Sequence, residues 1–285
     1  MPELPEVETV RRVLKDKVIG LKIKDIEIRY PKMIQNDIED FKKNIVNKEI
    51  IDISRLAKFL IFNLSDGNII SHLRMEGKYF YTNDLSIDNK HVHVIFYLSN
   101  GYYLLYQDVR KFGIMIYKSN KDLYTTEPLK KVGVDPILTN DFDYQKIYDK
   151  IKKKVLPIKT TLLDQTIISG LGNIYVDEVL FYAKINPLRL SNEITLEELK
   201  RIIEGTVLIL SKAIEYKGTT IKSYTSSLNV KGNFQQFLKV HTKNECIDCK
   251  SKLIRVKING RTTYYCENCQ RWDYEISYWC YWWNS

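Results

Sequence analysis

The chain has 285 residues, 44% of them hydrophobic, a net charge of +9 and a pI near 9.1. That length and apolar content accommodate two domains with real cores and exclude a disordered chain. No apolar run approaches the ~18 residues of a membrane span, and the acidic start lacks the apolar stretch of a signal peptide, so no membrane role and a cytoplasmic location are expected.

The charge points to a polyanionic partner, nucleic acid before a membrane surface, with a merely basic soluble protein as the alternative. In a compartment where thiols stay reduced, the five cysteines read as metal ligands before disulfides.

Residues 1–16 read as a helix. Pro5 suits the first turn, Glu6 and Glu8 complement its positive end, and Val7, Val10, Val13 and Leu14 recur at helical spacing. Ahead of it stands Met1-Pro2-Glu3. If Met1 is removed, the chain begins with the secondary amine of Pro2, followed at once by the carboxylate of Glu3. An α-amino group titrates at roughly pH 7.7–8.0, so a useful fraction is neutral and nucleophilic. Such an amine can attack an electrophilic carbon to form an iminium, and a neighbouring carboxylate can move the protons. Residue type alone favours an ordinary exposed start.

From about 20 to 118 the pattern is mostly strands. Lys22 to Ile28 alternates with period two, as does much of Ile50 to Leu64, although Phe59-Leu60-Ile61-Phe62 is apolar on both faces. Asp66-Gly67-Asn68 and Ser99-Asn100-Gly101 mark hairpin turns, residues 37–44 a short helix, and two sheets packed face to face fit the spacing. In this region Lys58 reads as a surface lysine on a strand, Met75 and Phe112 as core, and His91 as a satisfied or solvated histidine.

A boundary lies near 132–145, where Val132-Gly133-Val134-Asp135-Pro136 breaks regular structure. Helices are expected at about 143–152, 161–168, 173–184 and 195–215, with Thr195 and Glu198 as a capping box. Lys152, Lys153, Lys154 and Lys159 form a basic patch. Gly170 and Gly172 break the middle helices. Asn173 is placed to cap the next one, leaving N–H groups that suit a phosphate. Residues 216–233 read as a loop rich in Gly, Ser, Thr and Lys.

Cys246/Cys249 and Cys266/Cys269 are two C-x-x-C pairs, the spacing of a tetrahedral structural zinc site held by two knuckles. With all four positions filled by protein, the metal would activate no water. Between the knuckles Asn259-Gly260 is a tight turn that sets Arg261 at a hairpin tip. All four tryptophans, Trp272, Trp279, Trp282 and Trp283, fall in a tail after Arg271 whose role is open. The tail would pack on the zinc segment, mediate association or be foreign to the natural product. Cys280 within it is not expected to bind zinc.

Several of these stretches resemble the formamidopyrimidine-DNA glycosylase family, the bacterial 8-oxoguanine DNA glycosylases. The stretches are PELPEVETVRR at the start, Ser71 to Gly77, Asp108 to Gly113, Leu163 to Glu178, and Gly260 to Gln270. Together they cover essentially residues 2–270 in order.

The resemblance implies an α+β multidomain fold. An N-terminal helix plus two-layer β-sandwich forms a catalytic domain (1–133), followed by a linker (134–149). A helix–two-turn–helix DNA-binding domain (150–232) carries a lesion-recognition loop at about 216–233. A zinc β-hairpin finger (233–271) and the aromatic tail (272–285) complete it.

It further implies a monomeric base-excision-repair enzyme acting on damaged double-stranded DNA, nucleoid-associated when bound, with one structural Zn2+. The enzyme would be a DNA glycosylase and apurinic-site lyase. Pro2 would be the nucleophile, Glu3 its acid/base partner, and Lys58 and Arg261 the groups that handle phosphates. Met75, Arg110 and Phe112 would fill the gap left by an extruded base. His91, Lys154, Lys159 and Asn173 would contact the backbone, and Thr220, Lys222 and Tyr224 would belong to the recognition loop.

The sequence departs from the family where Lys222 replaces a common Arg and His241-Thr242-Lys243 replaces Tyr-Gly-Arg. The rival readings are an endonuclease VIII-type glycosylase for oxidised pyrimidines and a non-catalytic zinc-dependent DNA-damage binder.

Overall fold

The computed structural model describes residues 1–87, 89–219 and 232–271. Thr220, Lys222, Tyr224 and the tail 272–285 lie outside the described residues. The chain forms two compact units. One comprises Met1–Leu138 with Leu210–Gln236, the other Thr139–Ile209 with the chain from Phe237 on.

The first unit begins with α1 (Leu4–Val18), which buries Val7, Val10, Leu14 and Val18, the stripe that the spacing predicts. Strand β1 (Ile23–Ile28) follows, then α2 (Ile38–Ile45), capped by Asp37 Oδ1, which accepts from the N–H of Glu39 and Asp40. Next come β2 (Ile50–Leu56), β3 (Phe59–Leu64), β4 (Asn68–His72) and β5 (Lys78–Thr82). The unit continues with β6 (Val92–Leu98), β7 (Tyr103–Gln107) and β8 (Ile114–Lys118).

These strands form two antiparallel four-stranded sheets, ordered β1-β6-β7-β5 and β2-β3-β4-β8. Their facing sides share one core with α1 and α2, including Leu14, Phe41, Ile53, Phe62, Tyr79 and Tyr106. Each fully buried side chain of this kind contributes roughly 1.5–3 kcal/mol. The two-sided apolar run in β3 has a simple cause. Its outer face, with Ile61 and neighbouring Ile70, is covered by Leu123 and Leu129 from the segment after β8.

The second unit holds α3 (Tyr144–Lys152), α4 (Ile158–Leu162), α5 (Asn173–Ala183) and the start of α6 (Leu196–Glu215), whose Thr195/Glu198 capping box forms as expected. A two-stranded hairpin, β9 (Ile254–Ile258) and β10 (Arg261–Tyr265), closes it. The turn at Asn259 (φ 44°) and Gly260 (φ 74°) is left-handed at both positions, as Asn-Gly favours.

Four expectations are corrected. The helix expected over 161–168 ends at Leu162. Beyond it the Asp164 carboxylate accepts from the Thr166 N–H, and the Gln165 side chain ties Leu163 O and Leu171 O to the Gly170 N–H, so side chains replace the helical ladder. Asn173 is not the cap of α5, because Gly172 takes that position and Asn173 is the first helical residue. Lys58 is not on a strand but in the two-residue turn between β2 and β3, where Leu56 pairs with Phe59. Phe112 is 52% exposed and Met75 half-buried, so neither is core. Among the described residues no helix is long and apolar enough to cross a membrane.

Candidate active site and nucleic-acid interface

At the start of the first unit, Pro2 is buried and Glu3, the N-cap of α1, is 2% exposed. Glu6, one turn on, reaches back so that its Oε2 accepts from the Glu3 N–H at 2.8 Å. Its other oxygen, Oε1, accepts from the Thr219 N–H at 2.7 Å and the Thr219 hydroxyl at 3.1 Å. One carboxylate therefore fixes both the Pro2-Glu3 start and Thr219, near the beginning of the expected recognition loop. Gly218 (φ +76°) permits this, since a Cβ there would lie 2.5 Å from Glu6 Oε1.

The Lys58 turn is held by a buried charge network. Arg55, beneath it, donates through Nη1 to Asp135 Oδ2 at 2.6 Å and to the Ala57 carbonyl at 2.9 Å, and through Nε to Glu8 Oε2 at 3.1 Å. Asp135 Oδ2 also accepts from the Ala57 N–H at 2.8 Å. These bonds hold Ala57 in the left-handed region (φ 54°) that places Lys58 at the turn's second position, 5% exposed. Burial works against the Glu8 carboxylate, but hydrogen bonds from Arg11 and Arg12 and the charge of Arg55 hold its pKa at about 2.

His72, paired across from Phe59, accepts the Arg74 N–H on Nδ1 at 2.9 Å. The neutral ring therefore carries its proton on Nε2. Burial, with the charges of Arg74 and Lys58, depresses its pKa to about 3.

Met75 lies in the tight turn after β4, and Arg110 and Phe112 in the loop after β7. The guanidinium of Arg110 sits 5.0 Å over the Phe112 ring. That loop is shaped by Asp108, fully buried, whose carboxylate accepts from the N–H groups of Arg110, Phe112 and Gly113. The Tyr106 hydroxyl fits so closely against Gly77 and Gly113 that a Cβ on either would collide with it, which brings the Met75 and Phe112 loops onto one tyrosine. His91 is half-buried, and its N–H donates to Asn89 Oδ1.

In the second unit Arg261 is exposed at the first position of β10, directly after the turn. Asn173 Nδ2 donates to the Thr262 carbonyl at 2.9 Å, which fastens the start of α5 to that strand, while its Oδ1 is buried without a protein partner among the described residues. Lys154 is half-buried and 3.4 Å from Asp164.

The expectation for Lys159 is corrected. It is 1% exposed, and its ammonium donates to Asp177 Oδ1 (2.8 Å), Thr262 O (3.1 Å) and Thr263 Oγ1 (2.9 Å). It is an internal strut of the hairpin, with its donors directed at protein, and no contact for a phosphate.

Asp177 also accepts from His241 Nδ1 (2.8 Å) and the Tyr264 N–H (3.3 Å), and the next residue, Glu178, accepts the N–H groups of Lys239, Val240 and His241. Burial pushes the Glu178 pKa up against those three bonds. Sequence reasoning gave Glu6 and Glu8 only a helix-end role, and assigned none to Arg55, Asp108, Asp135, Asp177 and Glu178. The one local signal was adjacent acids within the apolar helix Asn173–Ala183.

The Sγ atoms of Cys246, Cys249, Cys266 and Cys269 all lie within 4.8 Å of one another, with Cys246–Cys269 at 3.8 Å and Cys249–Cys266 at 3.4 Å. A tetrahedral zinc with bonds of ~2.3 Å requires sulfurs roughly 3.8 Å apart, so the four thiolates fit a structural zinc.

A sandwich unit begun by a helix, a helical unit with a four-cysteine hairpin, and loops bearing exposed basic and aromatic side chains suit a zinc-binding protein that docks on nucleic acid. The N-terminal domain of formamidopyrimidine-DNA glycosylase matches residues 1–115, and the H2TH domain of the same enzyme matches residues 132–225. The formamidopyrimidine-DNA glycosylase of Streptococcus pneumoniae is 46% identical over 277 residues, 96% of this chain and 100% of the relative; that of Streptococcus mutans is 45% identical, covering 95% and 100%.

Among solved structures, a Lactococcus lactis FPG mutant in complex with DNA containing Fapy-dG superposes with a TM-score of 0.89. It is 40% identical, covering 95% of this chain and 100% of that one. The Lactococcus lactis protein with abasic-site DNA gives 0.88 at the same identity and coverage. The chain belongs to the formamidopyrimidine-DNA glycosylase family and is an enzyme of base-excision repair.

Proposed function

We propose that the chain excises oxidised purines, 8-oxoguanine and formamidopyrimidines, from duplex DNA and then cleaves the abasic strand through the amine of Pro2. Once Met1 is removed, that amine attacks C1′ as the bond to the base breaks, giving an aminal. Glu3 supplies the proton to O4′, and breaking the C1′–O4′ bond opens the sugar ring and leaves the iminium. Loss of a C2′ proton then expels the 3′ phosphate (β-elimination), and loss of a C4′ proton expels the 5′ phosphate (δ-elimination). Lys58 and Arg261 stabilise the departing phosphates. Asn173, Lys154 and His91 grip the backbone, while Met75, Arg110 and Phe112 occupy the vacated stack and address the orphaned base. Thr220, Lys222 and Tyr224 read the extruded base.

The zinc keeps the Arg261 hairpin folded and takes no part in the chemistry. We place these roles in a sandwich domain at 1–133, a DNA-binding domain at 150–232 and a finger at 233–271, in a monomer that works on nucleoid DNA in the cytoplasm.

The observation that carries this reading is the start of α1, where buried Pro2 and Glu3 are locked by Glu6. Borohydride trapping on a duplex with 8-oxoguanine opposite cytosine tests it, with wild type beside Pro2→Gly and Glu3→Gln. A covalent band that needs Pro2 is expected. No band from zinc-loaded protein that starts at Pro2 would sink the purine-lyase reading, and a strong preference for oxidised-pyrimidine duplexes would replace the substrate.

A further inference from the structure

The first unit carries a second basic feature, separate from the residues assigned above. A cavity of about 310 Å3 is lined by Arg29, Tyr30, Asn89, Lys90, Val92, His93 and Lys111. Three of these are basic side chains, and none of the described lining residues is acidic. The floor is aromatic, with the Tyr30 and His93 rings 5.6 Å apart and the Lys111 ammonium 5.0 Å over the Tyr30 ring. His93 adds no charge, because its Nε2–H donates to the Asp108 carbonyl at 2.9 Å and burial, with the nearby Lys111, holds its pKa down.

Among the described residues, two carboxylates lie nearby. Glu27 pairs with Arg29 Nε at 2.6 Å, at a site where both side chains are a third or more exposed, so water screens the pair. The Asp108 carboxylate is saturated by three backbone N–H groups. The cavity therefore keeps a positive field with an aromatic wall, which suits a phosphate diester and its sugar.

Its position names the strand. Lys111 stands between Arg110 and Phe112 on the loop shaped by Asp108. Arg110 stacks on Phe112, whereas Lys111, turned by a left-handed backbone (φ 57°), sets its ammonium over Tyr30. Arg110 addresses the orphaned base, so the loop that carries it runs beside the strand holding that base.

We propose that Arg29, Tyr30, Lys90 and Lys111 form a phosphate site for the undamaged strand, gripping it opposite the lesion while the Phe112 loop enters the stack. The strand assignment rests on the proposed role of Arg110.

The test is the salt dependence of duplex binding for wild type and for Arg29→Ala/Lys90→Ala, on a duplex with a tetrahydrofuran abasic analogue. Each neutralised phosphate contributes about 0.9 to the slope of log K against log[salt]. The double variant should bind severalfold more weakly, with a slope lower by about one, and Arg29→Lys/Lys90→Arg should restore it. An unchanged slope overturns the site.

Neutral methylphosphonates are then placed singly along each strand. At one or two positions of the undamaged strand they should weaken wild type and leave the double variant unaffected. The same pattern on the lesion strand overturns the strand assignment. Binding needs no chemistry, so borohydride trapping with wild type reports separately on the catalytic reading.

Discussion

Asp135→Ala is the sharpest perturbation of the Lys58 turn. The Asp135 and Arg55 side chains are each 2% exposed and meet at 2.6 Å, so removing the carboxylate strands a buried guanidinium. Breaking a buried pair costs roughly 3–5 kcal/mol. Arg55 keeps Glu8 at 3.1 Å and the Ala57 carbonyl at 2.9 Å, which puts the expected loss near the lower bound, about 3 kcal/mol. The Ala57 N–H loses its acceptor as well, and its left-handed backbone, about 1–2 kcal/mol above the ordinary regions for a residue with a Cβ, loses its clamp. Asp135→Asn keeps an acceptor and should cost about 1–2 kcal/mol.

Urea titration measures these losses. Single-turnover cleavage of a preformed abasic duplex, at a temperature where the variant stays folded, measures Lys58 placement and should fall about tenfold for Asp135→Ala. Ala57→Gly in that background should return part of the stability, because glycine accepts the φ without a clamp. A stability loss under about 1 kcal/mol, or cleavage at the wild-type rate, would refute the argument that this network positions Lys58.

Gly218→Ala should lower stability by about 1–3 kcal/mol, because a Cβ meets Glu6 Oε1 at 2.5 Å on a left-handed backbone; a Tm within a degree of wild type would count against the Glu6 tether. Stripping the metal with a chelator, followed by dye-detected zinc release, should abolish tight duplex binding, and full affinity after stoichiometric release would exclude a structural zinc.

The Glu8 carboxyl sits at about 2 in the folded chain against an ordinary 4.5, so its stabilisation is whole above pH 4.5 and lost as pH falls through 2. Allowing for solvent at the exposed Arg12 end, that contribution is about 2 kcal/mol. Glu8→Gln should flatten the stability profile across that window; an unchanged acid slope by chemical denaturation would assign it to other groups.

Much of the architecture was legible because its signals are local. The stripe of α1, the Asn259-Gly260 turn, the Thr195/Glu198 box and the paired cysteines each lie within a few residues. What escaped depends on partners far along the chain. The turn at Lys58 is set by Asp135, which lies 78 residues from Ala57. Lys159 looked like one more lysine of a basic patch, but Thr263, 104 residues away, draws it inside. Asn173 read as a cap because glycine left no side-chain signal at position 172, and its amide is spent on Thr262. Helix 161–168 was overestimated because apolar periodicity does not register the competing hydrogen bonds of Asp164 and Gln165.

Asp177 joins Lys159, 18 residues before it, to His241, 64 residues after, and Tyr264, 87 after. The sulfurs, by contrast, face one another across only 23 and 17 residues. Loop closure grows costlier with separation, and contacts distant in sequence are slow to form. The order of assembly follows: the metal loop closes early, and docking of the β9–β10 hairpin onto Asp177 comes late. Thiol protection in refolding should therefore precede ordering of Tyr264, and simultaneous appearance of the two would contradict this order. A refolding chain would hold its zinc before it holds Arg261 in register, and DNA-binding competence would be the last property it regains.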